Sequence, residues 1–137
     1  ERDVRVWLLG TWSADASGQS ELDRQTRQLA SRLSAGFIAT GPTLRDYARE
    51  HGERAVFPDG MHPSLPATLM TAARVYRALT GTAPRAADVT IDFPLLAATS
   101  TPAADTPLEQ QAARLSSTPV VRIEAEAMAP LLRAAAR

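Results

Sequence analysis

The stretch FPDGMHPS, residues 57–64, contains one of the two histidines in the chain and places it three residues after an aspartate. In a turn that is held by glycine and proline, the carboxylate of Asp59 and the imidazole of His62 can face each other. Asp59 then accepts a hydrogen bond from one ring nitrogen and leaves the other nitrogen free as a base. This is the relation between acid and base in a Ser-His-Asp triad, compressed into four residues. The spacing makes Asp59 and His62 a candidate catalytic pair.

A turn without chemistry explains the same residues. In that interpretation Asp59 caps the backbone, Gly60 supplies an unusual dihedral angle, and His62 is a surface residue. The other histidine, His51, follows a helical pattern among charged residues and is interpreted as the end of that helix. On spacing alone the turn is favoured, because Asp-Gly pairs are common in turns.

The composition is that of a globular protein, and it excludes several functions for this chain. Fifteen acidic residues balance fifteen arginines, so there is no net field to attract nucleic acid or an anionic membrane surface. The absence of cysteine excludes thiol catalysis, disulfides and thiolate metal sites. The apolar runs are too short to span a membrane. No metal is predicted, because the histidines and carboxylates lack a recurrent ligand spacing, and no organic cofactor is implied. The composition assigns no compartment.

Two short apolar runs, VRVWLLG (4–10) and GFIAT (36–40), predict buried strands. Helical patterns follow each run, and a further helical pattern ends near Gly81. Strands that alternate with helices indicate an α/β fold with parallel pairing. Such folds place ligands in loops at the carboxyl ends of strands, so we expect both GTWSAD (10–15) and PDGMHPS (58–64) in such loops.

Residues near the helix ends predict where the helices begin and stop. Ser20 with Asp23 three residues later is typical of a capping box, and Gly52 closes the second helix. Ser64 can cap the start of the last of these helices, and Gly81 its end. The apolar residues predicted on one face of the first helix are Leu22, Leu29, Ala30 and Leu33; those of the last are Leu65, Leu69, Ala72, Tyr76 and Leu79.

The passage FPDGMHPSLPATLMTAARVYRALTG, residues 57–81, resembles the C-terminal end of SGNH or GDSL-type hydrolases, in which an Asp-x-x-His-Pro loop precedes the last helix. VWLLGTW also looks like the strand and loop that follow the central asparagine motif of that family. The resemblance covers about residues 4–81. It implies part of a three-layer α/β/α, flavodoxin-like fold with parallel strands, in which Asp59 is the orienting acid and His62 the general base.

The chain departs from the family pattern at the nucleophile and the oxyanion hole. It contains no Gly-Asp-Ser motif, no asparagine and no preceding strand that would carry the nucleophile. Residues 1–81 are therefore interpreted as the C-terminal half of such a domain, with the serine and oxyanion hole supplied by an N-terminal segment of the same protein or another chain. Ser13, Ser17 and Ser20 are poor substitutes, because an active serine needs a defined elbow and nearby backbone donors.

The reaction that the resemblance implies is hydrolysis of an ester, in a small molecule or in an acylated carbohydrate or lipid. Thr11, Trp12 and Met61 are the predicted substrate contacts. Trp12 offers an aromatic face for a sugar or acyl group, or it fills the core beneath its loop. The other hypothesis is a non-catalytic α/β binding or structural domain, in which the Asp-His turn only shapes a pocket.

Residues 82–137 change in character. VTIDFPLL (89–96) predicts a strand, AATSTPAADTP (97–107) a linker, and residues 118–137 a further strand and a closing helix. No residue pattern in this region indicates chemistry. The region is interpreted as an extension that packs on the core or on a partner segment.

Overall fold

The computed structural model of the chain describes residues 4–13, 15–92, 95–96, 101–107, 109–111, 116–118 and 120–137. The chain separates into two compact units. Unit 1 contains Glu1–Arg85 and Pro130–Arg137, and unit 2 contains Ala86–Ala129. The fold is mixed α/β, as the sequence predicts.

Unit 1 contains a parallel pair of short strands, β1 (Trp7–Leu9) and β2 (Gly36–Ile38). The pairing continues past the carboxyl ends of the strands, where the N–H of Gly10 donates to the carbonyl of Ile38 at 2.7 Å. The hydroxyl of Thr40 donates to the carbonyl of Gly10 and joins the two segments that leave the sheet. Both predicted strands and their parallel pairing are confirmed.

Helices follow the strands in the predicted order. A 3-10 turn, Ala16–Gly18, leads into the first helix. The helices are α1 (Gln19–Arg32), α2 (Gly41–His51), α3 (Glu53–Val56), α4 (Leu65–Thr80) and α5 (Ala125–Ala136). The single turn α3 is not predicted by the sequence pattern. It follows Gly52, whose φ of 94° ends α2 and redirects the backbone.

The predicted capping box at the start of α1 is wrong. The helix begins at Gln19, so Ser20 lies inside its first turn. The cap residue is Gly18, which has no side chain that could bond to the helix. The 3-10 turn causes this difference. Asp15 accepts a hydrogen bond from the N–H of Ser17 at 3.0 Å and starts the helical backbone one turn earlier.

The predicted ends of α4 are confirmed. The side-chain oxygen of Ser64 accepts a hydrogen bond from the N–H of Ala67 at 3.4 Å. At the other end Gly81 adopts a left-handed conformation with φ of 73°, and its N–H donates to the carbonyl of Arg77 at 2.9 Å. The start of α4 is therefore fixed immediately after the loop that contains Asp59 and His62.

The core of unit 1 is built around α2 and α4, which contact each other, and α4 also contacts β2. The apolar face predicted for α4 is wrong in part. Ala67, Met70 and Ala73 are buried, whereas Tyr76 and Leu79 are exposed. These three residues recur at helical spacing and form the buried stripe of α4, while Leu65 and Leu69 are half-buried and Ala72 is exposed.

Several large apolar side chains of unit 1 remain exposed. Ala30 of α1 is buried, but Leu29 of α1 and Leu33, which follows its last residue, are exposed, contrary to the predicted face. Leu9, in β1, and Val6, immediately before it, are also exposed. A parallel pair normally has both faces covered by other elements. The described part of unit 1 thus leaves apolar surface beside its parallel strands.

Unit 2 contains two antiparallel strand pairs among its described residues. One pairs β3 (Val89–Ile91) with β6 (Val121–Ile123), and the other pairs β4 (Leu95–Leu96) with β5 (Ser116–Thr118). The single strand predicted over residues 89–96 is replaced by two short strands, β3 and β4, and the strand predicted within residues 118–137 is present as β6. Residues 101–107 of the predicted linker contain no helix or strand, and residues 97–100 lie outside the described residues.

The last eight residues of the chain belong to unit 1. Arg74 donates to the carbonyl of Ala135 at 2.9 Å, and Arg77 donates to the carbonyl of Ala136 at 3.2 Å. Carbonyl groups in the last turn of a helix have no partner within the helix, and cationic side chains satisfy them favourably. These bonds attach the C-terminus to α4. No helix in the described part of the chain is long and apolar enough to cross a membrane.

The register of β1 and β2 depends on the missing side chain of Gly36. A methyl group at this position would overlap the indole ring of Trp7, which lies directly opposite. Gly36→Ala should therefore reduce the free energy of unfolding by about 1–3 kcal/mol, as overpacking does elsewhere. Chemical denaturation measures this loss. Adding Trp7→Val removes the ring and should recover most of it; a double variant whose loss equals the sum of the two single losses contradicts the steric explanation.

Candidate functional site

Asp59 divides its two carboxylate oxygens between the backbone and the histidine. Oδ1 accepts hydrogen bonds from the N–H groups of Met61 at 3.0 Å and His62 at 2.7 Å. Oδ2 lies 2.7 Å from His62 Nδ1. Gly60 between them has a φ of 84°, in the left-handed region that favours glycine. The same carboxylate closes the turn and contacts the imidazole, so this geometry is compatible with both interpretations of the sequence.

The contact with Asp59 determines which ring nitrogen of His62 carries the proton. A carboxylate only accepts hydrogen bonds, so Nδ1 must carry the proton that bridges to Oδ2. Among the described residues, His62 Nε2 has no hydrogen-bond partner. It is therefore available as a base, on a side chain that is 60% exposed beside an Asp59 side chain that is 40% exposed.

The pKa of Asp59 lies well below its ordinary value of 3.8. The backbone N–H of His62 is the largest cause, followed by the His62 side chain and the N–H of Met61. Each of these donors stabilises the ionised carboxylate. Asp59 consequently remains a hydrogen-bond acceptor across the neutral and mildly acidic range.

The expectation that this loop follows a strand is wrong. Residues 58–64 follow the helical turn α3, which ends at Val56. The loop closes on that turn, because the N–H of Ser64 donates to the carbonyl of Val56 at 2.7 Å and the Ser64 hydroxyl donates to the carbonyl of Ala55 at 2.8 Å. Ser64 thus closes the loop and caps α4 at the same time.

The loop after β1 nevertheless reaches the Asp-His turn. Trp12 Nε1 donates to the carbonyl of Met61 at 2.8 Å, across 49 positions of sequence. The structure therefore brings together Trp12 and Met61, two of the three predicted substrate contacts. Thr11, the third, is exposed and precedes Trp12 in the sequence, and the Met61 side chain is also exposed. The role of Thr11, Trp12 and Met61 in substrate binding remains a prediction.

Two buried polar residues that the sequence analysis missed hold the Trp12 loop. Gln19 accepts from the N–H of Ser13 at 2.9 Å and donates to the carbonyl of Thr11 at 3.1 Å, so its amide spans Trp12. Arg45 donates to the carbonyl of Ser13 and to both oxygens of Glu53, at 3.0 and 3.1 Å. The sequence gave a signal for Arg45, which lies on the same helix face as Leu44 and Ala48, and none for Gln19.

Phe57 connects the two loops from below. It is buried, its ring centroid lies 6.2 Å from that of Trp12, and the Arg45 guanidinium lies 4.8 Å from its centroid. Aromatic pairs at this separation and cations over a ring are both favourable contacts. Phe57 therefore supports the Asp-His loop from the interior.

The nearby serines do not form a triad with His62. The hydroxyl of Ser17 donates to Asp15 at 2.6 Å, and Ser20 is an exposed residue of α1. Across the described ranges, no hydrogen bond joins Ser13, Ser17 or Ser20 to the imidazole. His51 lies at the end of α2 with its ring 4.1 Å from that of Tyr47. No cluster of three potential metal ligands occurs among the described residues.

Comparisons of the chain with protein-family models, curated proteins and solved structures gave no match. The resemblance noted from the sequence thus rests on the Asp59–Pro63 loop and on the order of the elements around it.

Titration of Asp59 tests the turn directly. A carboxyl whose pKa is lower in the folded chain stabilises the fold fully above its ordinary pKa, and this contribution is lost as the pH falls through the folded value. We expect the ¹³C signal of the Asp59 carboxyl to titrate well below 3.8, with the His62 amide proton shifting in parallel. Gly60→Ala, which strains the turn, should move the midpoint upward. A midpoint at the ordinary value in the unaltered chain would contradict the described geometry.

Proposed function

We propose that the chain is the acid-base part of an SGNH-type ester hydrolase. The observation that carries the proposal is the 2.7 Å contact between Asp59 Oδ2 and His62 Nδ1, with Nε2 free among the described residues. The sequence order supports it, since the pair lies immediately before a capped helix, as in the family that the loop resembles. The nucleophilic serine and the oxyanion donors come from a segment outside these 137 residues.

The pair would act in two proton transfers. His62 Nε2 takes the proton of the serine hydroxyl as the oxygen attacks the ester carbonyl, and the resulting imidazolium is stabilised by Asp59. His62 then gives that proton to the departing alcohol oxygen, leaving an acyl-serine. Water repeats the sequence: His62 takes its proton, the acyl-serine bond breaks, and the serine recovers its hydrogen as the free acid is released.

The exposed surface of unit 1 supports a larger domain. β1 and β2 form a parallel pair with unpaired outer edges among the described residues, and Val6 and Leu9 are exposed. Parallel strands are stable when further strands pair with them and helices cover both faces. We propose that strands of the outside segment extend this sheet into the three-layer α/β/α arrangement of SGNH hydrolases. The same segment would cover the exposed imidazole.

The surroundings of the pair favour a neutral ester. The exposed Met61 side chain is apolar, Thr11 is a neutral polar residue, and the whole chain has no net charge. A small-molecule ester, or the acyl group of a carbohydrate or lipid, fits this chemistry better than a highly charged substrate. No metal or organic cofactor takes part in the proposed reaction.

Replacement of the pair tests the assignment in the natural protein, with any residues that flank this sequence. His62→Ala should reduce kcat on a small activated ester by about a thousandfold or more, because no base remains for the serine. Asp59→Asn keeps His62 but loses its orientation and should cost a similar order of magnitude, with KM little changed. His51→Ala, which removes the other histidine, is the matched control and should retain activity. Normal activity of both site variants would make the turn structural.

A fluorophosphonate probe locates the nucleophile, because it labels activated serines. The 137-residue chain alone should remain unlabelled, and the natural protein that includes the outside segment should be labelled on a serine of that segment. Labelling should disappear in the His62→Ala variant. Stoichiometric, His62-dependent labelling of Ser13, Ser17 or Ser20 would show instead that this chain contains its own nucleophile. If neither form is labelled, the non-catalytic binding domain becomes the better hypothesis.

A further inference from the structure

The peptide group between Met61 and His62 is held at both of its polar atoms. Its carbonyl oxygen accepts from Trp12 Nε1 at 2.8 Å, and its N–H donates to Asp59 Oδ1 at 2.7 Å. The two hydrogen bonds restrain rotation of the peptide plane. Because a donor on a carbonyl polarises the amide, each bond also strengthens the other. The bonds form a continuous chain from the indole through the peptide to the carboxylate and the imidazole.

Trp12 is itself fixed in space, which a restraining residue requires. The amide of Gln19 bonds to the backbone on both sides of Trp12, at Thr11 and at Ser13. Gln19 is 6% exposed. It lies where a methyl group on Gly41 would overlap its amide, so glycine at that position makes room for it. The backbone on both sides of Trp12 is thus held by a buried amide of α1, for which Gly41 of α2 makes room.

We propose that Trp12 is a positioning residue, whose indole N–H sets the plane of the Met61–His62 peptide and thereby the direction in which His62 Nε2 points. This inference rests on the proposed function, since it names the residue that orients the same base, His62. It differs from a substrate-stacking role for Trp12 in one respect: it depends on the N–H group and not on the aromatic face.

A kinetic split separates the two roles in the natural protein. Trp12→Phe keeps an aromatic face and removes the donor. A positioning role predicts that kcat falls by about 10- to 100-fold while KM stays within about twofold, since small misplacements of a catalytic group are costly. A stacking role predicts nearly unchanged kcat. Trp7→Phe, on β1 and away from the loop, is the matched control and should leave both parameters unchanged.

A spectroscopic test of the same variant does not require any hydrolase activity. With ¹⁵N-labelled histidine, long-range ¹H–¹⁵N spectra report which ring nitrogen of neutral His62 carries the proton. The unaltered protein should hold the proton on Nδ1, facing Asp59, and Trp12→Phe should shift it toward Nε2, as in free histidine. An unchanged tautomer in Trp12→Phe would overturn the proposal. A shifted tautomer in a protein without esterase activity would keep the positioning role and reject the proposed function.

A second substitution covers the case in which Trp12→Phe folds poorly. Benzothienylalanine incorporated at position 12 keeps the size and shape of tryptophan and replaces only the N–H by sulfur. It should produce the same shift of the His62 tautomer with thermal stability close to that of the unaltered protein. If its spectrum matches the unaltered protein, the hydrogen bond to the Met61 carbonyl has no influence on His62 and the inference is wrong.

Discussion

The carboxylate of Asp59 is the group on which the candidate site depends. One oxygen closes the turn by accepting two backbone N–H groups, and the other contacts His62 Nδ1 at 2.7 Å. These donors lower the pKa of Asp59, so that the carboxylate stays ionised and continues to hold both the turn and the imidazole. The closed turn and the orientation of the His62 imidazole therefore both depend on one charged group.

The rest of unit 1 determines where this turn is placed. α3 and the cap at Ser64 fix its two ends, Phe57 supports it from the interior, and Trp12 reaches it from the loop after β1. Gln19 and Arg45 hold that second loop. The parallel strands thus contribute to the site indirectly, by setting where the β1 loop begins.

The sequence predicted the features that depend on near neighbours. The cap at Ser64, the left-handed Gly81 and the Asp59–His62 contact all follow from residues a few positions apart. Of the features that depend on distant contacts, the parallel pairing of β1 and β2 was predicted from the alternation of strands and helices, but the hydrogen bonds that join the loops were missed. Arg45 and Ser13 are 32 positions apart, and Trp12 and Met61 are 49 apart. The buried stripe of α4 was also wrong: Ala67, Met70 and Ala73 are buried instead of Tyr76 and Leu79.

The difference in sequence separation between the two bonds of the Met61–His62 peptide has a consequence for folding. The bond to Asp59 closes a loop of only a few residues, which forms on a submicrosecond timescale in general. The bond from Trp12 closes a loop of 49 positions and requires α1 and α2 to be in place. The contact between Asp59 and His62 therefore depends only on residues close in sequence, whereas the Trp12 hydrogen bond, which we propose sets the direction of His62 Nε2, requires the surrounding elements to be folded. A molecule in which α1 and α2 are not in place would retain the Asp59–His62 contact but lack the hydrogen bond from Trp12 to the Met61 carbonyl.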